Sequence, residues 1–265
     1  MSKPQTIRKA KLGKIELRLV SSGDHFVGMS DGKIICQGRD EEVVWSQLYA
    51  DVLKSRPNYF GYDGARNRFL HFFRGGFASS EYASKEREYK LASKRKLDAI
   101  ATPQQAASAS GLGEKILSVF QSNMLSPFEK MRVRDVLIGP KSDAFIQSAA
   151  RFTLDCGGQA LRDMEHVLRP FEAAKWTVVT FLPFLWRPEQ HMYLKPEVTK
   201  LYAERVGHPY AEMYSPDLEI AVYEGLLDLS RQTEKELVDL KPRDRIDIQS
   251  FIWVIGKYDG EPSRE

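Results

Sequence analysis

The sequence predicts a mainly α fold with a small antiparallel β element at the N-terminus, and three observations predict it. Apolar and polar residues alternate between Ile15 and Gln37 around the turn signals Ser22-Gly23 and Asp31-Gly32. Beyond Pro103 the apolar residues recur at helical spacing, in segments of ordinary length separated by Gly, Pro and Ser. No second β region follows, and internal repeats are absent.

Taken in order, Ile15 to Gln37 reads as a hairpin or three-stranded sheet. Asp40 then caps a helix that carries Val43, Val44, Leu48 and Leu53 on one face and stops at Pro57, closing an N-terminal unit over residues 1–57. The remainder, 58–265, is read as a helical domain. It opens with an aromatic-rich stretch, Asn58 to Gly76, after which Ser79-Ser80-Glu81 starts a long charged helix, Tyr82 to Leu97. The cations of that helix fall nearly all around it, mixed with Glu86 and Glu88, as on a solvated helix; a DNA-facing surface is the other reading. The small-residue stretch Gln104 to Gly113 reads as a loop or a weak helix start, and helices follow at Gly113 to Gln121, Pro127 to Leu137, Asp143 to Leu154 and Ala160 to Val167. The tail after Tyr258 is polar and expected to fray.

A chain of 265 residues, 42% of them hydrophobic, can bury a substantial core as one large domain or two small lobes. It has no run of 18 apolar residues, and its basic start, Met1 to Lys14, lacks the apolar stretch of a signal peptide. A cytoplasmic protein without a membrane partner is therefore expected. Cys36 and Cys156 lie far apart with no ligand-type spacing, which predicts reduced thiols, no metal site and no cofactor. Net charge is only +3, yet residues 1–100 hold 19 Lys/Arg against 12 Asp/Glu. That asymmetry suits an anionic partner such as nucleic acid.

The chemistry-bearing residues concentrate in the last third. An apolar segment led by Lys175 (Lys175 to Leu185) is followed by a proline-flanked turn (Arg187 to Pro196), a short helix (Glu197 to Val206) and the terminal run Ile246 to Trp253. Within these stand Lys175-Trp176-Thr177-Val178-Val179, then Tyr193-Leu194-Lys195-Pro196-Glu197-Val198-Thr199-Lys200-Leu201, then Ile248-Gln249-Ser250-Phe251-Ile252-Trp253-Val254-Ile255-Gly256. Over about residues 110–256 this order resembles the catalytic half of a helix-hairpin-helix DNA glycosylase. It is most similar to the archaeal 8-oxoguanine branch, with its lysine opening the second hairpin helix, its "I-P-V-D-x-x-V-x-x-L" turn and its terminal "L-D-x-x-L-W-x-x-G" helix. The resemblance implies a bilobal helical fold, a hairpin and catalytic segment at about 168–206, and a base-reading helix at about 244–256. It implies excision of a damaged or modified base from double-stranded DNA, by a monomer that leaves an abasic site and has possible lyase activity through a Schiff base.

Excision requires a flipped base, groups that read its edge and stack on its face, and an activated nucleophile at the sugar C1′. By the resemblance Lys175 is the nucleophile, provided that the apolar helix desolvates its amine; the plain reading is a helix-start lysine facing solvent or a phosphate. The family's turn aspartate is missing, because its position falls on Lys195. The acid is then Glu197, Asp155, Asp247 or Glu172, or Lys195 is itself the nucleophile, or Lys195 only contacts a phosphate in a catalytically dead relative. Gln249 and Trp253, at i and i+4, take the places of the base readers, and the amide in place of an acid suits a base other than an oxidised purine. Phe251 and Ile252 read as core, and Asp244 as a helix cap. DNA-backbone contacts are expected from the hairpin amides of Ala173 and Ala174, from Lys200, and from Arg132 and Arg134, although Glu172-Ala173-Ala174 replaces the family's Gly-x-Gly. His191 reads as a solvated turn residue or a phosphate contact. The substrate expected is a hypermodified phage base, such as a glucosylated hydroxymethylcytosine removed in antiviral defence, or an oxidised purine removed in DNA repair. The rival expectation is a non-catalytic helical nucleic-acid-binding module.

Overall fold

A computed structural model describes residues 4–258, so the tail read as frayed lies outside the described residues. The chain is mainly helical, with a four-stranded antiparallel sheet at its N-terminus.

The strands β1 (Gln5–Leu12), β2 (Ile15–Ser22), β3 (His25–Ser30) and β4 (Lys33–Gly38) form a meander in the order β1-β2-β3-β4. The sequence reading placed strands only from Ile15 onward; β1 was hidden by its mixed cations, and its inward set is only Arg8, Ala10 and Leu12. Helix α1 (Glu41–Lys54) is capped by Asp40, whose side chain accepts from the Val43 amide at 2.9 Å. It packs on one face of the sheet, with Leu12, Leu17, Leu19 and Cys36 beneath Val44, Leu48, Val52 and Leu53. Val43, expected on that face, points outward. Gly28 is there for contact: a Cβ would stand 2.7 Å from Cys36 Sγ and 3.1 Å from Leu48 Cβ. This core is separate from that of the helical remainder. The two meet at Arg56–Glu212, an ion pair, and just past the junction the Phe60 amide donates to the Arg205 carbonyl at 2.9 Å.

The helical remainder begins with α2 (Gly61–Phe72) and α3 (Ser80–Tyr82), which runs through a π-helical turn, Ala83–Arg87, into α4 (Glu88–Ile100). Next come α5 (Pro103–Ala106), α6 (Gly113–Leu117), α7 (Pro127–Ile138), α8 (Ser142–Asp155) and α9 (Gly158–Leu168). The hairpin leads into α10 (Trp176–Val179) and α11 (Phe181–Trp186), then α12 (Pro196–Val206), α13 (Tyr210–Met213), α14 (Ile220–Glu236) and α15 (Arg245–Lys257). One contiguous apolar core extends from Ala65 to Ile255. Phe251 and Ile252 lie in it, as their spacing suggests. Helix α15 presses so closely on α12 that a Cβ at Gly256 would meet Val198 Cγ1 and O, both at 2.6 Å. That approach holds the two chemistry-bearing segments of the C-terminal third against each other. No described helix is long and apolar enough to cross a membrane.

Candidate functional site

Helix α15 is fixed first by its own N-terminus. Asp244 caps it, accepting from the Ile246 amide at 3.0 Å, as the sequence suggests. Asp247, one turn in, has no exposed surface. Its carboxylate accepts from Tyr82 Oη at 2.6 Å, Arg87 Nη1 at 2.7 Å, and the Arg243 amide and Nε, both at 2.9 Å. Burial alone would raise this carboxyl, but the Arg243 and Tyr82 hydrogen bonds, with the Arg87 charge, hold it below the usual carboxylate range. Asp247 is thus a saturated clamp between α15 and the π-helical turn, and the reading of it as a pocket acid is corrected: every lone-pair direction has a donor inside the protein.

A second tie lies one turn along. Lys90 is 1% exposed, and its ammonium donates to Ser250 Oγ at 2.7 Å beside Glu86 at 3.4 Å. Burial pulls its amine down to about 8. The helix read as cation-studded all round therefore turns Arg87 and Lys90 inward. Tyr258 Oη also donates to Glu86, at 2.7 Å.

These ties set Tyr89 of α4 across from Gln249 and Trp253 of α15, and the three residues share one cavity of about 170 Å3 with the segment Asn123 to Ser126, Tyr193 and Lys195. Tyr193 is itself fixed by donating to the Met124 carbonyl at 2.9 Å. Gln249 is 5% exposed, and its Oε1, sealed from solvent, has no hydrogen-bond partner among the described residues. A buried acceptor without a donor costs on the order of 1–3 kcal/mol, so an occupant that donates to it would recover that cost.

Lys195 stands 3.8 Å from Glu129. Burial lowers the Lys195 amine, and the Glu129 charge only partly restores it. For Glu129 burial acts upward, but hydrogen bonds from Thr177 Oγ1 and the Ser126 amide, together with Lys195, hold its carboxyl below the usual range. The site therefore pairs an ionised carboxylate with an amine whose proton is loosened. Glu129 was not singled out from the sequence, although Ser126-Pro127-Phe128-Glu129 is a capping box, realised at the start of α7. That signal was legible; its meeting with a turn 66 positions later was not.

The remaining predicted residues lie elsewhere. Lys175 is the exposed N-cap of α10, in an open cleft with Arg132, Arg169 and Glu172, so the expectation that the apolar helix desolvates it fails. The reason is local geometry: Trp176 to Val179 turn inward after it, while an N-cap side chain lies outside the first turn. Glu197 is exposed and paired with Lys200 at 2.8 Å; Lys200 also lies over the Tyr214 ring at 5.1 Å. Glu172 is exposed, paired with Arg132 at 2.8 Å. Its φ of 52° takes the left-handed conformation that a hairpin glycine would adopt at less cost. Asp155 accepts from the Gly157 amide at 2.8 Å. The buried Ala173 spends its amide on the Leu168 carbonyl at 3.1 Å, so that amide is not open to a phosphate, whereas Ala174 is half-buried and Arg134 exposed. His191 is neither solvated nor a phosphate contact: it is buried between Tyr223 Oη and the Thr153 carbonyl, each at 2.9 Å, and burial pulls it down to about 4. Cys36 is buried and Cys156 half-buried, both as free thiols. Among the described residues no group of three His, Cys, Asp or Glu side chains could hold a metal ion.

Comparison of the chain with protein-family models, with curated proteins and with solved structures gives no match.

Proposed function

We propose that the cavity between α4, α12 and α15 receives a nucleobase flipped from double-stranded DNA, and that the protein is a DNA glycosylase with Lys195 as its nucleophile. One observation carries the reading: Lys195, Gln249 and Trp253, drawn from two distant parts of the sequence, line one small cleft, and Glu129, from a third, stands 3.8 Å from the Lys195 amine. A cavity of about 170 Å3 lies below the ~300–1,000 Å3 of whole-ligand sites and suits a planar ring with its sugar left at the mouth.

In this reading Tyr89 and Trp253 flank the ring, and the Gln249 amide turns so that its Oε1, now unpaired, accepts from an N–H of the base edge. The neutral Lys195 amine attacks C1′ and forms a C–N bond as the glycosidic bond breaks. The bonding pair leaves with the base, which takes up a proton, while the nitrogen gives up its own. Glu129 supplies the negative charge that the turn lacks: it faces the cation developing on the sugar and receives the proton from Lys195. Opening of the sugar then gives a Schiff base, which water resolves or β-elimination converts to a strand break.

The test is incubation with duplexes that carry single modified bases, oxidised purines and glucosylated hydroxymethylcytosine among them, followed by alkali to reveal abasic sites and borohydride to trap a covalent adduct. Release by the wild type, lost in Lys195→Gln but kept in Lys175→Gln, is the expected result. Binding without release across the panel would favour the non-catalytic nucleic-acid-binding module.

A further inference from the structure

The N-terminal sheet has a second face, opposite α1. Helix α1 packs against β2, β3 and β4 on the face that carries Leu17, Leu19, Gly28 and Cys36. Strand alternation puts Lys9, Lys11, Arg18, Val27 and Met29 on the other, and the register shift between Gly28 and Met29 pairs Ile34 with Met29 there. The register aligns Lys9, Arg18, Met29 and Ile34 in one row across all four strands. Ile34 is 64% exposed, and Lys9, Lys11 and Arg18 are exposed as well.

Charge on this face is unbalanced. Lys9 and Arg18 are direct cross-strand partners, and like charges placed so repel. One carboxylate, Glu16, sits among the three cations; it is paired with Arg18, and its carboxyl is held low by Arg18 first and then by Lys9 and Lys11. The sheet thus keeps an arrangement that costs stability in the free protein and that a row of phosphates would relieve. The exposed Ile34, with the half-buried Val27 and Met29 beside it, adds apolar surface that can meet thymine methyls in the major groove, which is wide enough to admit β-strands.

We infer that the outer face of the β1–β4 sheet is a second DNA-docking surface, in which Lys9, Lys11 and Arg18 grip the backbone of duplex DNA. The inference extends the base-excision reading, and it would place a duplex contact beyond the pocket. The unit meets the chain at α13 and near the C-terminal end of α12, whose N-cap is Lys195, so at 1.5 Å per residue its attachment lies about 15 Å along the helix from the Lys195 backbone.

The experiment is a salt titration of binding to a short unmodified duplex, comparing the full chain with Lys9→Gln/Lys11→Gln/Arg18→Gln. A charge-matched control, Lys85→Gln/Arg95→Gln/Lys96→Gln, alters three exposed cations of the long helix instead. Each phosphate contact contributes about 0.9 to the slope of log K against log salt, so the sheet variant should lose about 2–3 from the slope while the control keeps the wild-type value. Thermal melting of both variants checks that they fold. An equal slope in the sheet variant and the wild type, an equal loss in the control, or no duplex binding by the wild type would overturn the inference. The two readings separate cleanly: base release with an unaltered sheet-variant slope leaves the pocket standing and removes the sheet. A lowered slope without base release does the reverse.

Discussion

Asp247→Asn tests whether the carboxylate beneath α15 is a clamp or a reagent. The substitution keeps shape and removes charge from a side chain with no exposed surface that accepts from Tyr82, Arg87 and Arg243. Breaking a buried charge pair costs about 3–5 kcal/mol when the partner is left unpaired. Arg87 keeps Asp244, at 2.7 and 2.8 Å, and Arg243 is half exposed and can turn to water. The loss should therefore fall at the lower end, about 3 kcal/mol, or a fall in Tm on the order of 6–12 °C for a chain of this size. Urea unfolding at pH 7 measures it, through a lowered midpoint at unchanged slope. The sign with pH follows from the depressed carboxyl. The stabilisation is fully present above the unfolded value of about 3.9 and is lost as pH falls through the lower folded one, so wild type and variant converge in acid. A loss below about 1 kcal/mol, or abolished base release in a variant of unchanged stability, would refute the clamp and restore Asp247 as a candidate acid.

Lys195→Gln should abolish borohydride trapping and cut base release by at least about 100-fold, as expected when a nucleophile is removed; equal trapping in Lys195→Gln would point to another amine. Glu129→Gln should slow release about 10–1,000-fold with only about 1 kcal/mol lost from capping, read by single-turnover rates beside thermal melts. Because the buried Lys90 amine titrates at about 8, below its unfolded value of about 10.4, the folded state binds fewer protons between those pH values. Wild-type stability should therefore gain on that of Lys90→Met as pH rises from 8 to 10, and a constant difference would count against the lowering of the Lys90 amine in the fold. Gly28→Val, which drives methyl groups into Cys36 and Leu48, should cost about 1–3 kcal/mol and loosen α1 from the sheet, seen as faster amide exchange in residues 41–54.

The division into an N-terminal sheet and a helical remainder was legible because period and turn chemistry are local. So were the caps Asp40 and Asp244, each realised as a side-chain acceptor, and the helix start at Ser79 to Glu81. What failed was the transfer of environment from neighbours to an end residue. Lys175 borrows no burial from the apolar helix after it, whereas Lys195, in a polar-looking turn, is covered by Tyr193 and the start of α7. Gln249 and Trp253 did fall on one cavity, as their i, i+4 spacing suggests, because a helix face is also local. The inward turn of Lys90 was not legible: the partner that accepts it, Ser250, is 160 positions away, and nothing in the composition of a lysine-rich helix marks which lysine faces in.

The π-helical turn Ala83–Arg87 carries a consequence for insertions and deletions. A single π turn amounts to one residue more than an α-helical ladder holds, with the Glu88 amide reaching back to Ala83. Deleting one residue there would let the ladder close as an ordinary helix, at the cost of turning one half against the other by about 100°. Tyr82 before the turn and Lys90 after it both bond to α15, at Asp247 and Ser250, so the shorter helix could satisfy one and not both. In a deletion scan, residues 83–87 should therefore be as intolerant as the core, even though Ser84 and Lys85 point to solvent and would each accept nearly any substitution. What is specified at those positions is the phase of the helix, and the identity of the side chains matters little.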